Sequence, residues 1–373
     1  MRRAFAIFAS LVVVAAFAAS PSAAQQKGKA QAQRILNVYN WSDYVDPAVL
    51  EEFTKTTGIK LRYDTFDTND MLEAKLLAGR SGYDVVAPTG YFLQRQIKAK
   101  IFQPLDKSKL PNLVHLWPEV SKRLAQYDPG NVYAVNYMWG TTGIGYNVAK
   151  ARELLGANAK IDSWDIVFKP ENLARFKDCG IHMLDSADDI LPAALRYLGL
   201  DPNSTREAEL QKAVDLMMTI RPLVRKFHSS EYLNGLATGE ICFAVGFSGD
   251  VKQAQKRAAE AKSGIQIAYS IPNEGAQLWF DNLAIPRDAK NVAEAHAFIN
   301  FLQTPEIAAR NSNFISYANG NLASQKFIDK AILEDRTIYP DAAMTSRLYT
   351  VNAHDAATVR LLNRLWTRIK TGR

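Results

Sequence analysis

Residues 39–44 read YNWSDY; they close the first predicted strand, at residues 35–41, and lead into the first predicted helix. In open α/β sheets a ligand lies beyond the carboxyl ends of the strands, so these side chains should face a ligand. A carboxylate between aromatic rings suits an organic cation, because the charge pairs with the acid and the methylene stem lies on the rings. For this stretch alone, an ordinary strand end with a helix-capping Asp43 is an equally good interpretation.

The first third of the chain alternates strand and helix patterns. Strands are predicted at residues 35–41, 59–63 and 83–88. Between them, Asp46-Pro47 and Gly58 bound one predicted helix, and Gly79 ends a second. This alternation predicts an α/β fold with a parallel sheet and right-handed crossovers. Thr89, Gly90 and Tyr91 follow the third strand and should therefore face the same cleft as Asp43.

Two extended segments divide the chain. Residues 133–148 (YAVNYMWGTTGIGYNV) can carry it out of one lobe, and residues 278–286 (LWFDNLAIP) can return it. The second lobe has strand patterns at 180–184 and 241–246 and helix patterns at 188–198, 207–220 and 251–262. We therefore predict two lobes joined by a hinge of two extended crossings. The first lobe comprises residues 34–139 and 279–320, and the second comprises 140–278 and 321–373.

The N-terminus has the pattern of an export signal. Arg2 and Arg3 precede the apolar residues 4–19, and small residues follow at 22–24. This predicts a signal peptide at 1–24 and a mature protein that begins at Gln25. Residues 25–33 have nothing to bury and are predicted to be a disordered linker. No later stretch is apolar enough to span a bilayer, so we expect a soluble periplasmic protein.

Composition and charge narrow the function classes. The chain has 373 residues and 47% hydrophobic side chains, which is enough for two globular domains. Its net charge of +7 includes the signal arginines, and no basic cluster with interleaved aromatics stands out. We therefore expect no nucleic-acid partner. A bound cation would have to be held by local carboxylates.

Several motifs, in order along the mature chain, resemble the periplasmic polyamine-binding proteins of ABC importers, and the putrescine-binding branch most. They are YNWSDY (39–44), YDTFD (63–67), FQPLDKSKLP (102–111), TGIGYN (142–147), FHSS (227–230), SGDV (248–251), WFD (279–281) and YAN (317–319).

The resemblance implies a type II periplasmic binding protein, two α/β lobes with mostly parallel sheets, which closes over putrescine and delivers it to a membrane permease as a monomer. It implies no cofactor and no metal. The ligand-binding residues that it implies are Trp41, Ser42, Asp43, Tyr44, Thr89, Asp189, Phe247, Asp250, Trp279, Asp281 and Tyr317. Asp281 and Asp250 would be the main ammonium partners at the two ends, and Asp43 and Asp189 would add polar or water-mediated contacts. Trp41, Phe247, Trp279 and Tyr317 would box the methylene chain.

Each of these residues also has a plainer interpretation. Asp250 could cap a helix, and Asp189 could be a first-turn acid. Alternation along a strand favours only one of Trp279 and Phe280 facing the cleft. Tyr91 and Trp279 are bulkier than their counterparts in some putrescine binders and resemble those of spermidine binders, so a spermidine preference stays open.

The cysteines, Cys179 and Cys242, each lie next to a predicted strand of the second lobe. An even number in an exported protein suggests a disulfide, and the resemblance implies the same pairing. Closing a loop of roughly 60 residues would contribute about 4 kcal/mol. Two buried free thiols are the alternative. A zinc site would need histidine partners at ligand spacing.

Catalysis is the competing function class. His228, Ser229 and Ser230 lie near acids, but the sequence has no Gly-x-Ser-x-Gly elbow, no His-Glu-x-x-His and no phosphate-binding glycine loop. A polyamine-modifying enzyme is therefore the weaker hypothesis, and we expect His228 to be structural. A ferric-ion or anion binder would need clustered tyrosines or basic helix N-termini in an otherwise similar cleft.

Overall fold

The computed structural model describes residues 33–373. The predicted signal peptide at 1–24, and the predicted linker except for Gln33, lie outside the described residues. Within residues 33–373, no helix is both long and apolar enough to cross a membrane.

The strands are β1 (Ile35–Trp41), β2 (Lys60–Phe66), β3 (Val85–Val86), β4 (Ala134–Asn147), β5 (Ile181–Met183), β6 (Lys226–Phe227), β7 (Phe243–Phe247), β8 (Ile267–Ser270), β9 (Leu278–Ala284) and β10 (Ala318–Asn319). The helices are α1 (Pro47–Thr57), α2 (Asn69–Leu77), α3 (Gly90–Lys98), α4 (Pro118–Leu124), α5 (Val148–Leu155), α6 (Asp165–Phe168), α7 (Pro170–Leu173), α8 (Ala187–Tyr197), α9 (Glu207–Ile220), α10 (Glu231–Thr238), α11 (Ser248–Glu260), α12 (Val292–Leu302), α13 (Pro305–Ile315), α14 (Lys330–Leu333), α15 (Ala342–Thr345) and α16 (Ala356–Thr371).

Local signals place the first elements where the sequence predicts them. Asp46 caps α1 by accepting from the Ala48 N–H, and Pro47 occupies the first helical position. Gly58 ends the helix with φ 69°, a left-handed conformation that glycine adopts without steric cost. Thr68 caps α2 through the Met71 N–H.

The strands form two sheets that share β4. In the first, β1 pairs in parallel with β2 and β3, whereas β9 lies antiparallel to both β3 and β4. In the second, β7, β5 and β6 are parallel neighbours, and β4 runs antiparallel to β7 and β8. The expected parallel pairing thus holds where helices connect the strands. The strands next to β4 and β9 pair with them in antiparallel orientation instead.

The predicted extended crossings are β4 and β9. Residues 134–141 of β4 pair with β9 in the first sheet, and residues 142–147 lie between β7 and β8 in the second. Each sheet has its own hydrophobic core. Leu36, Phe53 and Phe298 are buried around the first sheet, and Phe176 and Phe243 around the second. We call these two bodies the first and second lobes.

The chain enters the second lobe later than the predicted boundary after residue 320. Residues 321–329 stay on the first lobe because polar side chains fix them there: Asn321 Nδ2 donates to the Gln303 carbonyl at 2.7 Å, and the Asp329 N–H donates to Asn313 Oδ1 at 2.9 Å. Farther on, Tyr349 pairs with Gln277 beside β9, and α16 completes the core of the second lobe. A third connection therefore runs along the hinge, and the sequence analysis missed it.

The predicted disulfide is present. Cys179 and Cys242 are bonded, with their Cα atoms 5.6 Å apart and their positions in the chain separated by 63. The bond ties the turn before β5 to the start of its neighbour β7, so the free-thiol alternative is wrong.

Candidate ligand-binding cleft

All the predicted site residues line one cleft between the two lobes, with about 530 Å³ of empty space between its walls, the open mouth included. Tyr91 also lines the cleft, where the strand-end rule predicts it. The structure adds further residues to this lining that were not predicted: Phe66, Asp67, Asn69, Ser229 and Ser230.

The topology brings these side chains together. Trp41 closes β1, Thr89 follows β3, and Phe247 closes β7, so each lies at the carboxyl end of a strand. Asp281 is on the crossing strand β9, where an isolated β-bridge places it opposite Thr89. The Trp41 Nε1 donates to the Ala87 carbonyl at 2.9 Å, which fixes the indole against the cleft.

Asp281 is buried and is held by two hydroxyl groups. Thr89 Oγ1 donates to Oδ1 at 2.6 Å, and the Tyr44 hydroxyl donates to Oδ2 at 2.8 Å. Burial raises the pKa of Asp281 to about 7, although both hydrogen bonds favour the ionised form.

Asp250 has the same kind of setting in the second lobe. The Tyr317 hydroxyl donates to Oδ1 at 2.6 Å and the Tyr232 hydroxyl to Oδ2 at 2.7 Å. Burial raises the pKa of Asp250 to about 7. Phe247 is the N-cap residue of α11, and the Asp250 carboxylate is bound by the tyrosines, so the capping interpretation of Asp250 is wrong.

Asp189 is the third buried acid. It lies in the first turn of α8, as its alternative interpretation expected, and it also lines the cleft. Thr142 Oγ1 donates to Oδ1 at 2.7 Å and Ser186 Oγ to Oδ2 at 2.6 Å. Burial raises its pKa above the ordinary value for aspartate.

These acids share one electrostatic feature. Asp189, Asp250 and Asp281 accept hydrogen bonds from neutral hydroxyls, and within residues 33–373 no Lys, Arg or His forms a salt bridge with any of them. A buried carboxylate without a cationic partner is costly. The cleft is therefore built to receive positive charge from outside the chain.

Aromatic rings form the walls between the acids. The Phe247 ring is 6.4 Å from Trp41 and 5.5 Å from Trp279, and Trp279 is 5.5 Å from Tyr317, measured between ring centroids. Trp279 faces the cleft and Phe280 packs in a core behind it, as strand alternation predicts. Only glycine fits at 249, because a Cβ there would lie 2.3 Å from the Tyr317 ring.

Asp43 differs from the buried acids. Its side chain is 39% exposed at the mouth of the cleft, and Oδ1 lies 2.6 Å from Arg257 Nη2 of α11. Gln253, also on α11, donates to the Asp43 carbonyl at 3.1 Å. We call this set of contacts between Asp43, Gln253 and Arg257 the interlobe latch. Asp43 therefore lies in the cleft as predicted, but its charge is already paired.

A sequence pattern could have identified some of the cleft residues that were not predicted, but not all of them. Asn69 follows β2 closely, so the strand-end rule could have included it. Tyr232 lies on α10, and its contact with Asp250 is created by the tertiary fold, so no sequence pattern indicates it. No local pattern marks Arg257 as a partner of Asp43.

The histidine considered for catalysis has a structural role. His228 Nδ1 accepts from the Ser230 and Glu231 N–H groups at 3.2 and 3.3 Å, at the start of α10. Ser229 Oγ accepts from the Asp185 N–H. Among residues 33–373 there is also no group of three or more His, Cys, Asp or Glu side chains arranged to hold a metal ion.

Comparison with known proteins agrees with this architecture. A family model described as bacterial extracellular solute-binding protein matches residues 48–338. The chain is 51% identical over 348 residues to the putrescine-binding periplasmic protein SpuD of Pseudomonas aeruginosa, covering 93% of this chain and 95% of that protein. It is 48% identical over 342 residues to the putrescine-binding periplasmic protein PotF of Escherichia coli, covering 91% and 92%.

A solved structure of a spermidine/putrescine ABC transporter protein from Listeria monocytogenes superimposes with a TM-score of 0.81 at 34% identity, covering 91% of this chain and 100% of that one. The predicted two-lobed fold of type II periplasmic binding proteins is confirmed, as is the resemblance to their polyamine-binding members. The chain therefore belongs to the bacterial extracellular solute-binding proteins.

Proposed function

We propose that the protein is a periplasmic solute-binding protein that captures putrescine between its lobes and delivers it to the permease of an ABC importer. The observation that carries this proposal is the set of buried acids, Asp189, Asp250 and Asp281, which have hydroxyl donors but no salt bridge. The identity to putrescine-binding relatives supports the choice of ligand.

The energetics favour a dication with an apolar centre. Each ammonium group loses hydration worth several kcal/mol on closure, so it needs at least one carboxylate. Charge-assisted hydrogen bonds return about 1.5–3 kcal/mol each, and cation–π contacts in a closed cleft about 2 kcal/mol. The methylene stem offers only apolar surface, which aromatic walls bury well.

We assign the main ammonium contacts to Asp250 and Asp281, which the hydroxyls of Tyr317 and Tyr44 orient. Asp189 adds a polar contact, direct or through water. Among the predicted acids, Asp43 acts through the latch rather than as an unpaired charge. The methylene chain of putrescine lies among four aromatic rings, those of Trp41, Phe247, Trp279 and Tyr317.

Binding is coupled to hinge closure and involves no chemistry. In the structure the Tyr317 hydroxyl of the first lobe bonds to Asp250 of the second, and Asp43 bonds to Arg257 across the mouth. A ligand that touches both lobes only when they are closed shifts the population toward the closed state. The permease then binds the closed monomer with its ligand.

The site also has a feature that favours a longer ligand. Beyond Trp41 and Phe247 the cleft continues into a side pocket of about 250 Å³ of empty space, which Asp67 and Asp70 line. Spermidine has one more amine than putrescine, and this additional charged group would lie in the side pocket. A spermidine preference is therefore the second candidate.

A thermal-shift panel of putrescine, cadaverine, agmatine, spermidine and spermine tests the proposal. We expect putrescine to give the largest stabilisation at a given concentration. A larger shift with spermidine would favour the second candidate. No shift with any of the amines would reject polyamine binding, and chemical alteration of the amine after incubation would favour an enzyme.

A further inference from the structure

Tyr317 of the first lobe packs against the start of α11 in the second lobe. Its ring belongs to the core of the first lobe, whereas Val251 and Ala254 of α11 belong to the core of the second. The ring lies directly over Gly249, the second residue of α11. This contact therefore joins the two lobes, and it is buried, unlike the exposed interlobe latch.

The hydroxyl of Tyr317 makes two hydrogen bonds to one residue of α11. It accepts from the Asp250 N–H at 3.1 Å and donates to Asp250 Oδ1 at 2.6 Å. The first four N–H groups of a helix have no partner within the helix, and this hydroxyl satisfies one of them. Both bonds link groups of the protein alone, so the fit between Tyr317 and α11 is a property of closure itself.

The contact lies beside the hinge. Ala318, the residue after Tyr317, pairs with Trp139 of β4, and Ser248 Oγ accepts from the Thr141 N–H of the same strand. A contact this near to the hinge strands has a short lever arm. A small increase in distance there is therefore accompanied by a larger separation of the lobes at the mouth of the cleft.

The lack of a side chain at position 249 allows this close approach. A Cβ atom on Gly249 would lie 2.3 Å from Cδ2 and 2.4 Å from Cε2 of the Tyr317 ring. Non-bonded carbon atoms normally lie about 3.5–4.0 Å apart, so the two groups would have to separate by more than about 1 Å. Glycine within a helix is otherwise less stable than alanine, and the contact with the ring accounts for its presence here.

The Tyr317 ring is held on several sides. It is 2% exposed, and its centroid lies 5.0 Å from that of Tyr44 and 5.5 Å from that of Trp279. The residue before it, Ser316, ends α13 in the left-handed conformation, with φ 59°, and its N–H donates to the Ser312 carbonyl at 2.8 Å. Because both the ring and its backbone are fixed, a side chain at 249 would be accommodated by separating the lobes.

We propose that Gly249 is a positioning residue for lobe closure, because it leaves a slot that admits the Tyr317 ring and so sets how far the lobes close. We call the space between Gly249 and this ring the glycine slot. A methyl group in the slot would hold α11 away from the first lobe. The ion pair between Asp43 and Arg257 across the mouth would then be lost as well.

Incomplete closure should weaken binding, although Gly249 has no side chain that could touch the ligand. Asp281 belongs to the first lobe and Asp250 to the second, so a diamine reaches both acids only when the lobes are closed. The apparent Kd rises as the fraction of molecules that can close falls. The inference rests on the proposed function, because it needs a ligand that binds the closed cleft.

Gly249→Ala tests the inference, and Gly235→Ala is the matched control. Gly235 lies on α10, and a Cβ there would lie 3.1 Å from the side chain of Ile241 in the same lobe. The control thus adds the same methyl group at a tight helical site that does not depend on closure. Calorimetry gives the Kd for putrescine, and small-angle X-ray scattering gives the radius of gyration with and without saturating putrescine.

A second comparison shows whether the effect acts through the ring. The double variant Gly249→Ala/Tyr317→Ala is measured beside Tyr317→Ala, which leaves room for the methyl group. If the slot acts as proposed, the substitution at 249 should change neither the Kd nor the radius of gyration once the ring is absent.

We expect Gly249→Ala to raise the Kd at least about tenfold and to keep a larger radius of gyration than the wild type at saturating putrescine. Gly235→Ala should match the wild type in both measurements. A Gly249→Ala protein that compacts like the wild type, or a defect that persists when the ring is removed, would overturn this inference and leave the proposed function intact. A wild type that binds no polyamine would reject the proposed function, and this inference with it.

Discussion

At the scale of single residues, the buried acids of the cleft have hydrogen-bond donors but no cationic partner within the described chain. Tyr44 and Thr89 hold Asp281, and Tyr232 and Tyr317 hold Asp250, with hydroxyls that orient the carboxylates without neutralising them. A preorganised acid of this kind does not have to reorganise when a cation arrives. Its carboxylate is already buried in the ligand-free protein, so the free-energy cost of removing it from water is incurred before the ligand binds.

Removing one of these charges should therefore weaken binding strongly. We expect Asp281→Asn to raise the Kd for putrescine more than about tenfold, because one ammonium group loses its charged partner. Asp215→Asn, at an exposed site on α9, is the matched control and should leave the Kd unchanged. Calorimetry gives both values, and wild-type affinity in Asp281→Asn would remove Asp281 from the site.

The raised pKa values predict a pH dependence. Burial raises the pKa of both Asp250 and Asp281 to about 7 in the empty cleft. A bound dication favours the ionised forms, so binding near neutral pH must release protons. Affinity should fall as the pH drops from about 8 to about 5, and calorimetry in buffers of different ionisation enthalpy should detect the release. Constant affinity across this range would contradict the assignment.

The stability of the ligand-free protein should change in the opposite direction. These acids have a higher pKa folded than unfolded, so between about pH 4 and pH 7 the folded state binds more protons. Their contribution to stability therefore falls as the pH rises through this window. The stabilisation by putrescine should grow over the same range.

At the scale of elements, the strand ends were predictable and the contacts between lobes were not. Trp41 and Thr89 follow from the strand-end rule, and alternation separates Trp279 from Phe280. The roles of Asp189 and Asp250 depended on family resemblance, because each residue equally fits the start of a helix. The pairing of Asp43 with Arg257 depends on how α11 faces the other lobe, which no local pattern encodes.

The disulfide fixes neighbouring elements of the second lobe. It joins the turn before β5 to the start of β7, at a sequence separation of 63. We expect Cys179→Ser/Cys242→Ser to lower the free energy of unfolding by about 4 kcal/mol, measured by urea denaturation. Reducing the wild type should give the same loss. A double variant as stable as the oxidised wild type would show that the bond adds nothing to stability.

At the scale of the whole molecule, the interlobe latch should slow ligand release. Arg257 and Asp43 belong to different lobes, so their ion pair exists only when the cleft is closed. We expect Arg257→Gln to weaken putrescine binding by about two- to fivefold, because exposed ion pairs contribute at most about 1 kcal/mol. Stopped-flow fluorescence should show faster dissociation.

Arg364→Gln provides the control for this prediction. Arg364 pairs with Glu207 within the second lobe, at a more exposed site than Arg257, and its pair does not depend on closure. Its removal should leave the dissociation rate unchanged. Equal effects of the two substitutions would mean that the latch acts through net charge rather than closure.

The most direct test of the central claim is a crystal structure of the protein with putrescine. The account predicts one diamine in the interlobe cleft, with its ammonium groups at hydrogen-bond distance from Asp250 and Asp281 and its stem among the rings of Trp41, Phe247 and Trp279. A diamine bound elsewhere, or one in the cleft with both carboxylates still bonded only to hydroxyls, would contradict it.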